Sequence, residues 1–129
     1  MTTVTYSNSR RFLRNRPYSN VTLLGVPGKP NLKFLALVDT GADYLQLPKS
    51  AAAVVGINLR SATPKTVHGA TGSLSMLLVS GVKVEVEGKT VMVDCLFEPT
   101  NSSSALLGRQ CLLAAVEAGF NVDEWMWEY

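Results

Sequence analysis

The chain has 129 residues, an apolar fraction of 47% and a formal net charge of +2. A chain of this length is expected to form one domain, and the apolar fraction excludes an intrinsically disordered protein. The small net charge gives no general reason to expect nucleic acid as a partner.

Residues 1–17 are polar and rich in arginine, and we predict that they form an N-terminal arm before a single domain over residues 18–129. Arg10, Arg11, Arg14 and Arg16 could contact nucleic acid or an acidic partner. No aromatic platform accompanies them in the sequence, so we favour a solvated leader and predict no nucleic-acid partner.

Short strands separated by turns dominate the next part of the chain. Val21–Leu24 and 32–38 are predicted to pair as a hairpin across the turn residues 27–31, and 44–47 is predicted as a short strand. Pro48 then favours a helix over 49–55, with Gly56 as its C-cap.

The second half continues the β pattern. Residues 66–86 carry many β-branched side chains and glycine breaks, and Glu87-Gly88 predicts a tight turn into a strand over 90–97. Residues 109–118 have helical spacing that we expect to end at Gly119, and 120–122 is predicted as a last strand. We therefore predict an all-β fold with one or two short helices, arranged as a closed or sandwich-like barrel.

Few features of the sequence indicate a cellular location. No stretch approaches the roughly 18 apolar residues that a membrane-spanning helix needs, and the first residues lack the pattern of a signal peptide. Cys95 and Cys111 fit neither a metal-site spacing nor a disulfide framework, so we interpret them as buried free thiols. A cytoplasmic location and no membrane partner follow as expectations.

The most informative segment is Leu35-Ala36-Leu37-Val38-Asp39-Thr40-Gly41-Ala42-Asp43. An apolar strand ends in a carboxylate beside a glycine turn, and an ionised carboxylate near apolar surface is costly unless it is paired, hydrogen-bonded or used chemically. The segment therefore indicates one carboxyl group, that of Asp39, held in a fixed place. An Asp that only closes a turn is the alternative interpretation.

Two further motifs follow in order: 67–72, with two glycines in a strand-like region, and Ala105-Leu106-Leu107-Gly108-Arg109. With Asp39-Thr40-Gly41-Ala42 before them, these motifs make residues 21–123 resemble the retropepsin-like aspartic proteases, the family of retroviral proteases and their cellular and bacterial relatives. The resemblance implies a single-lobe, closed acid-protease-type β-barrel. It also implies a homodimer, because the chain carries one Asp-Thr-Gly and the chemistry needs two carboxyl groups.

The resemblance assigns roles to individual residues. Asp39, Thr40 and Gly41 would be catalytic, with the Thr40 hydroxyl interlocking the protomers beneath the two carboxyl groups. Ala42, Asp43 and the flap residues would bind substrate; the flap residues are His68, Gly69, Ala70, Thr71 and Gly72. Leu107, Gly108 and Arg109 would support the site, and Arg109 would form a salt bridge with Asp43.

Other residues in and beside these motifs also carry information. Ala42 has no hydroxyl to bond the carboxylate, which predicts a higher pH optimum than in relatives with Ser or Thr at this position. Gln110 leaves the C-terminal helix without a good capping side chain. With His68 as its only histidine, the chain is expected to bind no metal, and no cofactor is expected.

The expected function is hydrolysis of peptide bonds in a peptide or protein substrate. A non-catalytic dimerisation or peptide-binding module of the same fold is the alternative, and an unrelated small β-barrel that binds oligonucleotides is a third. Trp125, Met126 and Trp127 in the aromatic tail would either join the two protomers or cover the base of the barrel.

Overall fold

The computed structural model describes residues 5–69, 72–99, 105–121 and 123–129. These residues form mainly strands, with two short helices and one 3₁₀ turn at Leu59–Ser61. The strands are β1 (Ser9–Arg11), β2 (Tyr18–Leu23), β3 (Leu32–Asp39), β4 (Leu45–Pro48), β5 (Thr63–Gly69), β6 (Gly72–Val86), β7 (Lys89–Glu98), β8 (Leu106–Gly108), β9 (Gly119–Asn121) and β10 (Met126–Glu128). The helices are α1 (Lys49–Val55) and α2 (Arg109–Ala115).

The strands make two sheets. Seven of them lie in the order β2-β3-β8-β4-β7-β6-β5, with an additional pairing of β2 with β6, and β1-β10-β9 form a smaller sheet. The prediction of a mostly β fold with short helices is confirmed. The closed barrel and the homodimer stay predictions.

Local sequence accounts well for the first half of the fold. The hairpin of β2 and β3 pairs Tyr18 with Leu37 and Leu23 with Leu32, as predicted. Helix α1 begins after Pro48 and ends at Gly56, whose φ of 82° is the left-handed conformation that glycine adopts readily. The predicted tight turn after β6 is also confirmed, with φ of 47° at Glu87 and 83° at Gly88.

The core lies between the strands of the large sheet and the two helices. Its largest fully buried side chains include Leu23, Leu45, Phe97, Leu107 and Trp127. On β6, Val82, Val84 and Val86 are buried while the side chains between them are more exposed, which is the period-two pattern of a strand with one face in the core. Cys95 and Cys111 are buried and unpaired by a disulfide, so their interpretation as free thiols is confirmed.

The end of helix α2 corrects the sequence prediction. The helix stops at Ala115 instead of running to residue 118, because Val116 is extended, with φ of −143° and ψ of 156°. Gly119 therefore does not cap the helix and instead begins β9. Its lack of a side chain has another use, since a Cβ there would lie 2.8 Å from the Tyr6 hydroxyl.

The two ends of the chain meet in the small sheet. Residues 9–11, within the segment predicted as an arm, form β1 and pair with β10 from Ser9↔Glu128 to Arg11↔Met126. Trp127 on β10 is fully buried, and its indole N–H donates to the Tyr18 carbonyl at 2.9 Å. The Trp127 side chain therefore packs within its own chain, and the role of Trp125 and Met126 in joining protomers stays a prediction. The division at residue 17 stays a prediction.

Candidate active site

Asp39 is the last residue of β3 and is half-buried. Parallel pairing with β8 sets its position, because Leu37, Val38 and Asp39 lie opposite Leu106, Leu107 and Gly108. The apolar residues before Asp39 pack into the sheet, with Ala36 and Val38 buried. The strand thus presents the carboxyl group at its carboxyl-terminal end, beside the glycine of β8.

The loop after Asp39 turns back onto the carboxyl group. The Gly41 amide donates to Asp39 Oδ1 at 3.0 Å, and the Ala42 amide donates to the Asp39 carbonyl at 3.2 Å. A Cβ at Gly41 would lie 3.3 Å from Asp39 Oδ1, closer than ordinary contact. The glycine therefore allows the backbone to approach the carboxyl group and orient one of its oxygens.

The side chain of Arg109 also binds the loop that follows Asp39. Its guanidinium donates to the Thr40 carbonyl at 3.0 Å and also bonds the Asp43 carboxylate. The predicted ion pair is thus present, although Arg109 divides its donors between two acceptors. The two side chains are 47% and 56% exposed, so within one protomer the ion pair is worth at most about 1 kcal/mol.

Backbone carbonyls of the loop cap helix α2. The amides of Arg109 and Gln110 donate to the carbonyls of Ala42 and Asp43 at 2.8 and 3.0 Å. No side chain caps this helix, in line with the poor capping residue predicted at Gln110. Two of the four free amides that begin a helix are here bonded to the Asp39 loop, which joins the loop and the helix into one unit.

Gly108 allows β8 to pass directly against the residue that follows Asp43. A Cβ at this position would lie 2.1 Å from the Tyr44 carbonyl oxygen and 2.7 Å from the Tyr44 nitrogen. These are backbone atoms of the loop, so they cannot rotate out of the way. Leu107 beside it is fully buried in the core.

Asp39 opens into a cleft of about 450 Å³. The residues that line this cleft are Asp39, Gly41, Ala42, Asp43, Tyr44, Gln46, Lys65, Thr66, Val67, His68, Leu96 and Leu106. A larger cavity of about 640 Å³ lies elsewhere, next to Arg10, Glu87 and Tyr129. We assign the candidate site to the smaller cleft because it contains the oriented carboxyl group.

The hairpin of β5 and β6 forms one wall of the cleft. The two strands pair from Thr63↔Leu78 to Gly69↔Gly72, and Val67 and His68 reach the cleft. Ala70 and Thr71, predicted as substrate-binding residues, lie outside the described residues. Gly69 ends the described part of β5 and Gly72 begins β6, and Gly72 is not among the described residues that line the cleft.

The family model for the gag-polyprotein putative aspartyl protease matches residues 27–113. The chain belongs to this family. The matched segment contains Asp39, the hairpin and Arg109, and it covers more than half of the chain. No curated protein matches the chain.

For this member of the gag-type aspartyl protease family, sequence reasoning missed Tyr44, Gln46 and Lys65 in the cleft. Lys65 Nζ donates to the Tyr44 hydroxyl at 3.1 Å and lies 4.9 Å from the centre of its ring. The hydroxyl raises the pKa of Lys65. Lys65 shares a strand face with Val67, two residues on, so the signal that could have found it is its place two residues before the motif at 67–72.

The described part of the chain contains neither a cluster of metal ligands nor a membrane-spanning helix. No cluster of three or more His, Cys, Asp or Glu side chains there could hold a metal ion. No helix in those ranges is long and apolar enough to cross a membrane.

Proposed function

We propose that this protein is an aspartic endopeptidase whose catalytic dyad consists of two Asp39 residues, one from each protomer of a homodimer. The observation that carries the proposal is the half-buried Asp39 carboxyl, oriented by the Gly41 amide at the edge of a cleft. Membership of the aspartyl protease family gives independent support.

The need for a second copy follows from the acids of the cleft. Asp39 and Asp43 are the carboxylates among its described lining residues, and Asp43 is engaged by Arg109. Asp43 is therefore unsuited to share a proton with Asp39. Since Asp39-Thr40-Gly41 occurs once in the chain, a second Asp39 has to come from another protomer.

In the proposed mechanism the paired carboxyl groups hold one proton between them, because two carboxylates about 3 Å apart do not both ionise. The ionised carboxylate takes a proton from a water molecule, which attacks the carbonyl carbon of the scissile peptide. The protonated carboxyl donates to the carbonyl oxygen as negative charge develops there. The carboxyl group that took the water proton then passes it to the amide nitrogen, and the C–N bond breaks. A gem-diol hydroxyl returns its proton to the other carboxylate as the carbonyl re-forms, which releases the two products and restores the singly protonated pair.

The hairpin of β5 and β6 is proposed as a flap that covers the substrate and excludes water. Its support is the position of Val67 and His68 in the cleft wall. The seven-stranded sheet is proposed to correspond to the closed single-lobe barrel of the family, which the extra pairing of β2 with β6 supports. A cytoplasmic location is proposed from the free thiols of Cys95 and Cys111.

The test compares the wild type with Asp39→Asn and with the control Asp123→Asn, an exposed aspartate of the tail. Each protein is incubated with a diverse peptide mixture between pH 4 and 7, with and without pepstatin, and the products are read by mass spectrometry. We expect pepstatin-sensitive cleavage by the wild type and by Asp123→Asn, and none by Asp39→Asn. Cleavage by Asp39→Asn would refute the assignment, and a sedimenting dimer without cleavage would favour the peptide-binding module.

A further inference from the structure

Lys65 places a positive charge in the wall of the candidate cleft. It lies on β5, facing the loop that carries Asp39, and its ammonium group both donates to the Tyr44 hydroxyl and packs over the Tyr44 ring. Tyr44 in turn follows Asp43 directly and is held against Gly108 by close backbone contact. These contacts place the Lys65 ammonium group beside Tyr44 in the cleft.

The charge of Lys65 is not cancelled by a direct ion pair. Within the described ranges the ion pairs are Arg10 with Glu87 and Arg109 with Asp43. Asp43 and Asp94 act on Lys65 only through longer-range attraction. An ammonium group has three N–H donors, and the Tyr44 hydroxyl uses one of them. Two donors therefore remain for a ligand.

The surrounding wall is electrically neutral over most of its area. Gln46, Thr66, Leu96 and Leu106 carry no charge. Of the two acids among the described residues that line the cleft, Asp43 is bonded to Arg109, and Asp39 is the proposed catalytic carboxyl group, whose Oδ1 accepts from the Gly41 amide. A peptide in this cleft thus meets an unpaired cation at Lys65, and a carboxylate is the side chain that satisfies a cation with free donors.

We infer that Lys65, positioned by Tyr44, forms a substrate subsite that selects an acidic side chain of the peptide. The inference rests on the proposed function, because the peptide in the cleft is the proposed substrate. In a homodimer each protomer would contribute one such subsite, which places an acidic preference on both sides of the scissile bond.

The experiment compares kcat/KM for acidic and neutral peptides within each protein, so that an overall loss of activity in a variant does not change the ratio. A peptide cleaved by the wild type is resynthesised with Glu, Gln or Lys at each position flanking the cut. The kcat/KM of each peptide is then measured at pH 6 with the 129-residue protein. We expect a Glu-to-Gln ratio of about five at one position or more, the scale of a partly exposed charge pair. The ratio should fall toward one at high salt, and also as the pH falls through the peptide Glu pKa of about 4.3.

Two variants and one control test whether Lys65 is responsible. Lys65→Met keeps an unbranched side chain without charge and should bring the ratio to about one, whereas Lys65→Glu should favour the Lys peptide. Lys89→Met removes the same charge from an exposed position at the start of β7 and should keep the wild-type ratio. A ratio near one in the wild type, or an acidic preference that survives in Lys65→Met, overturns the inference and leaves the protease assignment intact.

A binding measurement separates the inference from the proposed chemistry. Fluorescent peptide libraries with one fixed Glu, Gln or Lys are titrated into Asp39→Asn, alone and combined with Lys65→Met, and followed by anisotropy. A preference for Glu that disappears with Lys65→Met supports the subsite even if the wild type cleaves nothing. Absence of both cleavage and binding for every library overturns the subsite and the protease assignment together.

Discussion

Gly108→Ala tests whether the close passage of β8 against the Asp39 loop is required by the fold. The added Cβ would lie 2.1 Å from the Tyr44 carbonyl oxygen, where ordinary contact begins at 3.4 Å, so the two backbones must separate by more than 1 Å. Insertion of a methyl group into a packed site costs about 1–3 kcal/mol. Because the obstacle here is the backbone of the loop and not a side chain that could rotate away, we expect about 3 kcal/mol of lost stability.

Urea denaturation followed by circular dichroism measures that loss, and thermal denaturation should show a decrease of roughly 10 °C in Tm. Gly28→Ala is the comparison, because Gly28 has φ of +86° but a Cβ added there would meet no atom within 4 Å. It should lose only the cost of a left-handed residue, about 1–2 kcal/mol. Peptide cleavage by folded Gly108→Ala should also fall, since Gly108 lies opposite Asp39.

A Gly108→Ala protein no less stable than Gly28→Ala would show that the loop and β8 can separate freely. The argument that Gly108 fixes the position of the active-site loop would then be wrong. Normal stability with lost cleavage would instead mean that the loop moves at little energetic cost but carries Asp39 out of place.

Three further predictions concern other contacts. Arg109→Lys should change protomer stability by no more than about 1–2 kcal/mol. It should lower turnover at least about tenfold or weaken the dimer, because lysine cannot serve both the Thr40 carbonyl and the Asp43 carboxylate. Unchanged turnover and unchanged sedimentation would contradict this prediction. Trp127→Phe should cost about 2–3 kcal/mol in urea denaturation, since it removes an indole donor and buried volume, and a cost below about 0.5 kcal/mol would contradict the burial of this side chain. Burial raises the pKa of the Cys111 thiol from 9.0 to about 12, so the stability due to its neutral form should be present below pH 9 and decline up to about pH 12. An equal decline in Cys111→Ala would exclude this thiol as the cause.

The sequence predicted best where a local rule and the tertiary contacts agree. The apolar run ending in Asp39, the helix before Gly56 and the turn at Gly88 each depend on neighbouring residues. Each of these elements lies at the position that the hydrophobic periodicity and the glycines predicted. The Asp39 loop and its contact with Arg109 followed from a motif, because the geometry of the site ties those residue types to fixed positions.

What the sequence missed depends on contacts between distant residues. Helical spacing continues past Ala115, but the close approach of Tyr6 to Gly119 belongs to the folded chain and not to the helix pattern. The pairing of β1 with β10 joins opposite ends of the chain, and no local period reports such a pairing. The contact of Lys65 with Tyr44 is likewise set by how the hairpin lies over the loop.

The carbonyl caps on helix α2 make two amide protons into reporters of the active-site loop. The Arg109 and Gln110 amides are bonded to Ala42 and Asp43, so each can exchange with solvent deuterium only when the loop and the helix part. Their exchange rates therefore measure the free energy of opening this region, separately from global unfolding. A ligand that orders the loop should slow the exchange of both amides by the same factor. The two exchange rates therefore report occupancy of the cleft even in a variant without catalytic activity.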